Sequence, residues 1–435
     1  MIVLLAGLLL VNVSLPKTRL IVTTDISSLK AGVGEPDDTQ SLVRLLLYAS
    51  DFDIEGLIAT RTNHGGEVHP EYIRSIVRAY GKVRPNLALH DPRYPTERHL
   101  LDRVKAGLAG TDSVGRGRDS EGSDWIISVV DRPDPRPVWI VIWGGSRELA
   151  QALWRVKNAR TPEEFAAFQS RIRVYAINDQ DKTGRWIRAV HPELFYITGR
   201  QVYRGMYRGG DESLVAREWV DKHVTHGHGP LGAAYPNYDG GDPWGRVRGV
   251  KEGDTPSFLY LIPNGLGDPM RPEWGSWGGR FTGEGKHFSD AEDRAGADTS
   301  ARATVYRWRA AYQADFQSRL DWCVKPPDKA NHPPVAVLDA LSERTVSPGD
   351  RVVLSAKGSH DPDGNGLSYR WFHYPEPGTY GGSIRINGAT TPDASFVAPN
   401  VDSPKTIHVV LTVTDDGDPP LSRYGRVVVA VRPGN

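Results

Sequence analysis

A proline-rich break, "KPPDKANHPP" at residues 325–334, divides this chain into two parts with different periodicities. Ahead of it, strand-like runs ("RLIVTTD", "DIEGLIAT", "RPVWIVIWGG", "IRVYAIND", "PELFYITG") alternate with helix-like ones ("PEYIRSIVRAYGKV", "SRELAQALWRVK", "TPEEFAAFQSRI"). Strands separated by helices of this length predict βαβ units and a mostly parallel sheet flanked by helices, an α/β domain of Rossmann type. Behind the break lie only short alternating runs such as "RVVLSAKG", "LSYRWFHY" and "KTIHVVLTVTDD". They predict an all-β, immunoglobulin-like sandwich. At 435 residues the chain exceeds what one core usually supports. The expected organisation is an α/β domain over 17–325, a semi-rigid linker over 326–334 and a sandwich over 335–435.

Bulk properties narrow the function. Basic and acidic residues balance at 53 each, with no Lys/Arg-rich run, which argues against nucleic-acid binding by phosphate neutralisation. A single cysteine, Cys323, rules out an intrachain disulfide framework or a cysteine-ligated metal within one chain. Any metal must be held by oxygen or histidine. The opening "MIVLLAGLLLVNVS" has the length of a signal-peptide core and is too short to span a bilayer, so residues 1–16 are expected to direct export, to a secreted or periplasmic location. Twelve Trp and 17 Tyr supply flat amphipathic faces that suit sugar rings, although each is equally explained by packing.

In parallel sheets, ligands gather at the C-terminal ends of strands. Three expected strands run straight into polar residues: Asp25, then Asn63 with His64, then Asn178 with Asp179. After Asp25 comes a glycine-containing loop, then Pro36, Asp37, Asp38 and an apolar stripe of Leu42, Val43, Leu46 and Ala49. Proline at the first turn and acids at the positive end explain Asp37 and Asp38 as ordinary helix-start residues. Asp25 facing them offers the other reading, a dense oxygen set for a hard cation such as calcium.

These motifs resemble the nucleoside hydrolase superfamily: "TTD…EPDDTQS", a second strand ending in asparagine in "IEGLIATRTN", the turn "VWIVIWGGSRELAQAL", and a late loop aspartate in "NGLGDPMRPEWGSWGGRF". More closely, "EPDDTQSLVRLLLYASDFDIEGLIAT", "EWGSWGGRF" and "SHDPDGNGLSYRWFHYPEPGTY" resemble bacterial nucleoside-hydrolase-like proteins described as cellulose-binding, which join the same two domains. The resemblance implies Ca2+ held by Asp25, Asp38, Asp268 and the Trp143 carbonyl. It further implies Asp25 as general base for a water on that ion, Asp37 on a sugar hydroxyl, and Asn63 and Asn178 near the sugar. The activity implied is cleavage of an N- or O-glycosidic bond, with a carbohydrate-binding accessory domain. The alternative is a non-catalytic cellulose- or polysaccharide-binding protein that keeps the fold.

The loop "ISSLKAGVGEP" is longer than the family's, and Thr23 stands where the superfamily motif has another aspartate. Together with the aromatic loops of residues 205–300, these departures shift the expected substrate from nucleosides toward plant or algal polysaccharide. Leaving-group protonation lacks an assigned donor; His64, His69, His226 and His228 are loop residues with no motif behind them. In the β-domain, "HDPDGNG" and "TDDGDPP" read as tight turns or as a calcium bridge. Alternation puts Trp371 inside the sandwich and Phe372 or Tyr374 outside, as a carbohydrate-stacking face with Tyr380.

Overall fold

The structure, a computed structural model, describes residues 16–30, 36–62, 66–339 and 342–433. The expected export segment and Asn63 and His64 therefore lie outside the described residues. Among the described residues, the α/β part carries a short hairpin of Asp293–Ala295 with Asp298–Ser300 and ten further strands: β1 Thr18–Thr24, β2 Phe52–Ala59, β3 Val104–Ala106, β4 Val138–Ile142, β5 Ile172–Ile177, β6 Phe195–Gly199, β7 Tyr238–Asp242, β8 Gly245–Gly249, β9 Phe281–Glu284 and β10 His287–Asp290. Eight form one sheet in the order β3-β2-β1-β4-β5-β6-β10-β9, parallel throughout except for the β10–β9 pair. β7 and β8 make a separate hairpin.

The chain runs outward from β1 to β2 and β3, then returns to place β4 on the other side of β1. That reversal is a topological switch point, where the loops after β1 and β4 part and leave a crevice. Side chains alternate faces along each strand, as the pleat requires. Leu20 and Val22 join one core with helices α1 (Asp37–Leu47) and α2 (Pro70–His90). Ile21 and Ile140 join another with α3 (Glu121–Val130) and α4 (Arg147–Ala159). Helices α5 (Pro162–Ser170) and α6 (Lys182–Val190) follow, and α7 (Arg309–Asp321) closes the domain.

Two helices differ from their sequence patterns. α2 continues through Pro85 to His90, held there by buried Leu87 and by Asn86, which donates to the Trp322 and Lys325 carbonyls at 2.8 and 2.7 Å. The apolar run before the linker, which reads as one long helix, is broken into Ala303–Tyr306 and α7, because Arg307 and Trp308 turn to meet the second domain.

That second domain is a β-sandwich of β11 (Glu343–Val346), β12 (Arg351–Ser355), β13 (Leu367–His373), β14 (Asp393–Val397), β15 (Lys405–Asp415) and β16 (Ser422–Val431). One sheet has the order β11-β16-β15-β13, and the other pairs β12 with β14. On β15, Val409, Leu411 and Val413 face the sandwich core with Trp371. Val410, between them, joins Tyr374 and Tyr424 in the core cluster of the α/β domain.

The outer face of the sandwich is thus an inner face of the whole molecule. Tyr424 N–H donates to the Asn264 carbonyl at 2.9 Å, and Arg426 Nε to the Leu266 carbonyl at 2.7 Å. Buried Asp293 accepts from Arg280, Arg307 and the Tyr374 hydroxyl at 2.6, 2.7 and 2.5 Å. The expectation of an exposed aromatic face fails at Tyr374, which is fully buried, while Trp371 is a core residue as alternation predicts. Nor is the linker an open tether: Asn331 is buried, its amide donating to Asp415 Oδ1 at 2.9 Å and its carbonyl accepting from the Trp322 indole at 2.9 Å.

Candidate functional site

α1 is buried from Asp38 to Leu47, an unusual environment for Gln40 and Arg44. Both are satisfied by one returning segment. Gln40 Nε2 donates to the Pro236 and Gly249 carbonyls at 2.7 and 2.9 Å, and its Oε1 accepts from the Lys251 and Glu252 amides at 2.7 and 3.0 Å. Arg44 meets Glu252 through two bonds, 2.6 and 3.0 Å, and lies 3.7 Å over the Phe316 ring. Glu252 also accepts from the Tyr235 hydroxyl at 2.6 Å. This lattice delivers Asp254 to the N-terminal end of α1, where ligand oxygens of Asp37, Asp38 and Asp254 lie within 4.8 Å of one another.

Of the carboxylates expected around an ion, Asp38 is in this cluster, while Asp25 and Asp268 are not among its three members. The late aspartate brought to the pair is Asp254, not Asp268. Asp268 is half-exposed, its Oδ1 accepting from Met270 N–H at 2.8 Å in a surface turn, and it does not line the cavity described below. The sequence carries a signal for Asp254: "GDTPSFL" shares with "EPDDTQS" an Asp-Thr pair and a nearby proline at a helix start, here Pro256–Leu259.

Asp25 follows β1 and is buried, 4 % exposed. It packs beneath the glycine turn, where a Cβ on Gly144 would lie 2.7 Å from its carboxyl carbon, and one on Gly145 would lie 2.2 Å from Asp181 Oδ2. The "WGG" turn therefore needs both glycines, because two carboxylates occupy the space of their side chains. Thr24 Oγ1 donates to Asp38 Oδ1 and accepts from Ile26 N–H at 3.2 Å, tying the end of β1 to the start of α1. The Trp143 amide bonds the Thr23 carbonyl at 2.8 Å, and the Trp143 carbonyl accepts from Gln180 Nε2 at 2.9 Å. One lone pair of that carbonyl is thus engaged and a second is left for a ligand. Asn178 ends β5 in the left-handed region at φ 61°, the position among the described residues where a non-glycine adopts it. Asparagine tolerates that conformation better than most side chains.

Asp37, Asp38, Asp254, Trp143 and Asn178 line one cavity of about 530 Å³, within the ~300–1000 Å³ usual for small-ligand sites. Its far wall was not visible in the sequence: Tyr203, Arg204, Tyr207, Asp242 and Lys251, with Trp244 exposed at the tip of the β7–β8 hairpin. Arg204 stacks on Tyr203 and Trp244 at 4.5 and 4.6 Å. Burial pushes the Tyr203 hydroxyl pKa up. Burial would also raise Asp242, but the Trp244 amide, the Tyr207 hydroxyl, Lys251 and Arg204 outweigh it and hold that carboxyl below its ordinary range. Among the described residues no histidine lines the cavity, and His228 instead pairs with Asp321 at 3.3 Å.

Three mutually close carboxylates favour either a shared proton or a bound cation. The donor set is all oxygen, the kind calcium takes in numbers of 6 to 8. The arrangement can neutralise itself around a hard ion and present that charge to sugar hydroxyls.

Comparison with known proteins follows the same lines. Residues 19–281 match the family described as cellulose-binding Sde182, nucleoside hydrolase-like domain, and residues 351–431 match the C-terminal domain of cellulose-binding protein Sde0182. A solved structure described as a nucleoside hydrolase-related hypothetical protein from Saccharophagus degradans, associated with carbohydrate metabolism, shares 36% identity. It covers 96% of this chain and 100% of its own, with a TM-score of 0.81. The PKD domain from KIAA 1837 protein is 23% identical over 23% of this chain, with a TM-score of 0.18. No curated protein matches.

Proposed function

The chain belongs to the nucleoside hydrolase-like, cellulose-binding Sde182 family, and from that premise we propose that it is an exported, calcium-dependent glycosyl hydrolase acting on polysaccharide-derived sugars. The observation that carries the reading is the convergence of Asp37, Asp38 and Asp254 at the switch point of the parallel sheet, inside a cavity with an aromatic and cationic wall. Calcium held there would supply positive charge that neutralises these carboxylates and orients sugar hydroxyls. Asp25, buried beneath Gly144, is the proposed base that takes a proton from the attacking water onto its carboxylate. Tyr203 and Trp244 offer ring faces to the sugar, and Asn178 a side-chain amide.

A second reading, calcium-dependent binding without turnover, is favoured by one observation: no described histidine lines the cavity to protonate a leaving group. Incubation of the full chain with nucleosides, aryl furanosides and cello-oligosaccharides, with calcium or EDTA, separates the two. Calcium-dependent release of product supports the hydrolase. Retention on insoluble cellulose that EDTA abolishes, with no turnover across the panel, supports the binding protein. Neither turnover nor calcium-sensitive binding overturns both.

A further inference from the structure

The turn "DPDGNG" at residues 361–366 fits the pattern D-x-[DN]-x-[DN]-G of a calcium loop, although Phe372 stands where that loop would carry its distant glutamate. Asp361 behaves as a first loop residue should. Its Oδ1 gathers the backbone, accepting from the Asp363 and Asn365 amides at 2.9 and 3.1 Å, while its Oδ2 is buried without a hydrogen-bond partner. Opposite it, Asp415 at the end of β15 is 4 % exposed. Its Oδ1 accepts three bonds, from Gly417 and Leu421 N–H at 3.0 Å each and from Asn331 Nδ2 at 2.9 Å, and its Oδ2 too is buried with no partner.

The two turns are joined by a bridge of amides: Asn365 Nδ2 donates to Asn331 Oδ1 at 2.8 Å, and Asn331 in turn to Asp415. Asp363 is engaged by His332 at 2.9 Å, and Asp416 accepts from Gly366 N–H at 2.8 Å. A buried carboxylate oxygen without a donor is costly. Two of them on neighbouring turns point to a missing positive partner.

We propose that Asp361 Oδ2 and Asp415 Oδ2 are ligands of a calcium ion at the junction of linker and β-sandwich, separate from the cavity of the α/β domain. Oxygen donors from carboxylates and amides suit calcium, and no thiolate is present to select a softer metal. Because Asn331 of the linker belongs to the same network, the ion clamps the linker onto the sandwich.

The test uses the full chain, stripped with EDTA, and titrates calcium alone by calorimetry. The expected result is that Asp254→Asn, which silences the first site, still binds one calcium, and that adding Asp361→Asn or Asp415→Asn weakens this binding at least tenfold. Melting gives an independent reading. With calcium, Asp415→Asn melts below the parent. In EDTA it melts no lower, since it removes a buried charge facing Asp361 while keeping the Oδ1 acceptor. A loss of Tm equal in calcium and EDTA, absence of calcium binding in Asp254→Asn, or equal stabilisation by magnesium overturns the proposal. Should Asp254→Asn or Asp415→Asn fail to fold, Asp361→Asn in the otherwise unaltered chain decides: calcium stoichiometry falling by one supports the site, and unchanged stoichiometry overturns it.

Discussion

Arg44 and Glu252 form a completely buried ion pair, Nε to Oε2 2.6 Å, with both side chains at 0% exposure. They join α1 to the segment that carries Asp254, so the pair is a positioning device for the carboxylate cluster. Removing one partner strands the other charge, which costs ~3–5 kcal/mol in such settings. Glu252→Gln is therefore expected to lower stability by that order in urea denaturation and to weaken calcium binding in the cavity. Retained stability with retained calcium affinity would contradict the role.

Asp254→Asn and Asp268→Asn discriminate the two late aspartates. The first is expected to lose calcium at the cavity and with it any calcium-dependent turnover or cellulose retention. The second disturbs only a surface turn and is expected to change stability by less than ~1 kcal/mol. Calorimetric titration of the two variants in parallel reads the difference.

At the domain interface, acid is destabilising. Burial, then Arg426, His373 and Arg280, push the pKa of His408 down to about 3, from an ordinary 6.5. The unfolded chain takes up this proton below about 6.5 and the folded one only near 3, so the contribution is lost as pH falls across that window. Asp315 adds to the loss at the acid end: despite burial, Arg423 and Arg319 hold it at about 2, below 3.8. Asp290, raised by burial to about 6, acts oppositely, its contribution full below 3.8 and lost as pH rises through 6. His408→Asn is expected to flatten the slope of stability between about pH 6.5 and 4 in denaturant titrations.

Gly265 sits at φ 86°, and a Cβ there would lie 2.0 Å from the Tyr424 carbonyl oxygen. Gly265→Ala therefore forces apart the Asn264–Tyr424 contact between the domains, on top of ~1–2 kcal/mol of backbone strain. The expected outcome is two calorimetric transitions in place of one, together with faster proteolysis near residues 326–334.

Trp244 is 51% exposed, flanked by Arg204 and Arg302 at 4.6 and 5.2 Å from its ring. Trp244→Ala is expected to leave Tm nearly unchanged and to reduce oligosaccharide affinity about three- to tenfold, the worth of one stacking face. Affinity electrophoresis with soluble cellulose derivatives measures it.

Where order in the chain coincided with order in space, the sequence was readable. β1, Asp25, Pro36 and the acidic start of α1 are local, and proline, charge and apolar period each specify them independently. Asp254 was missed because its position depends on Gln40 and Arg44, some 210 residues earlier in the chain, reaching into a segment with no period of its own. Tyr374, offered with Phe372 as an alternative for the exposed face, is buried for a related reason. Alternation along a strand tells which residues share a face, as it did for Trp371, but not whether water or a second domain covers it.

The seam between the domains is held by Asp293, Arg426 and Tyr424 on one side and by the folded-in linker on the other. The sandwich is therefore docked on the α/β domain through buried bonds and does not hang from an open tether. Were a fibre to anchor the sandwich, it would fix the compass bearing of the cavity as well, and adhesion and the direction from which a sugar chain could arrive would be set by the same few bonds.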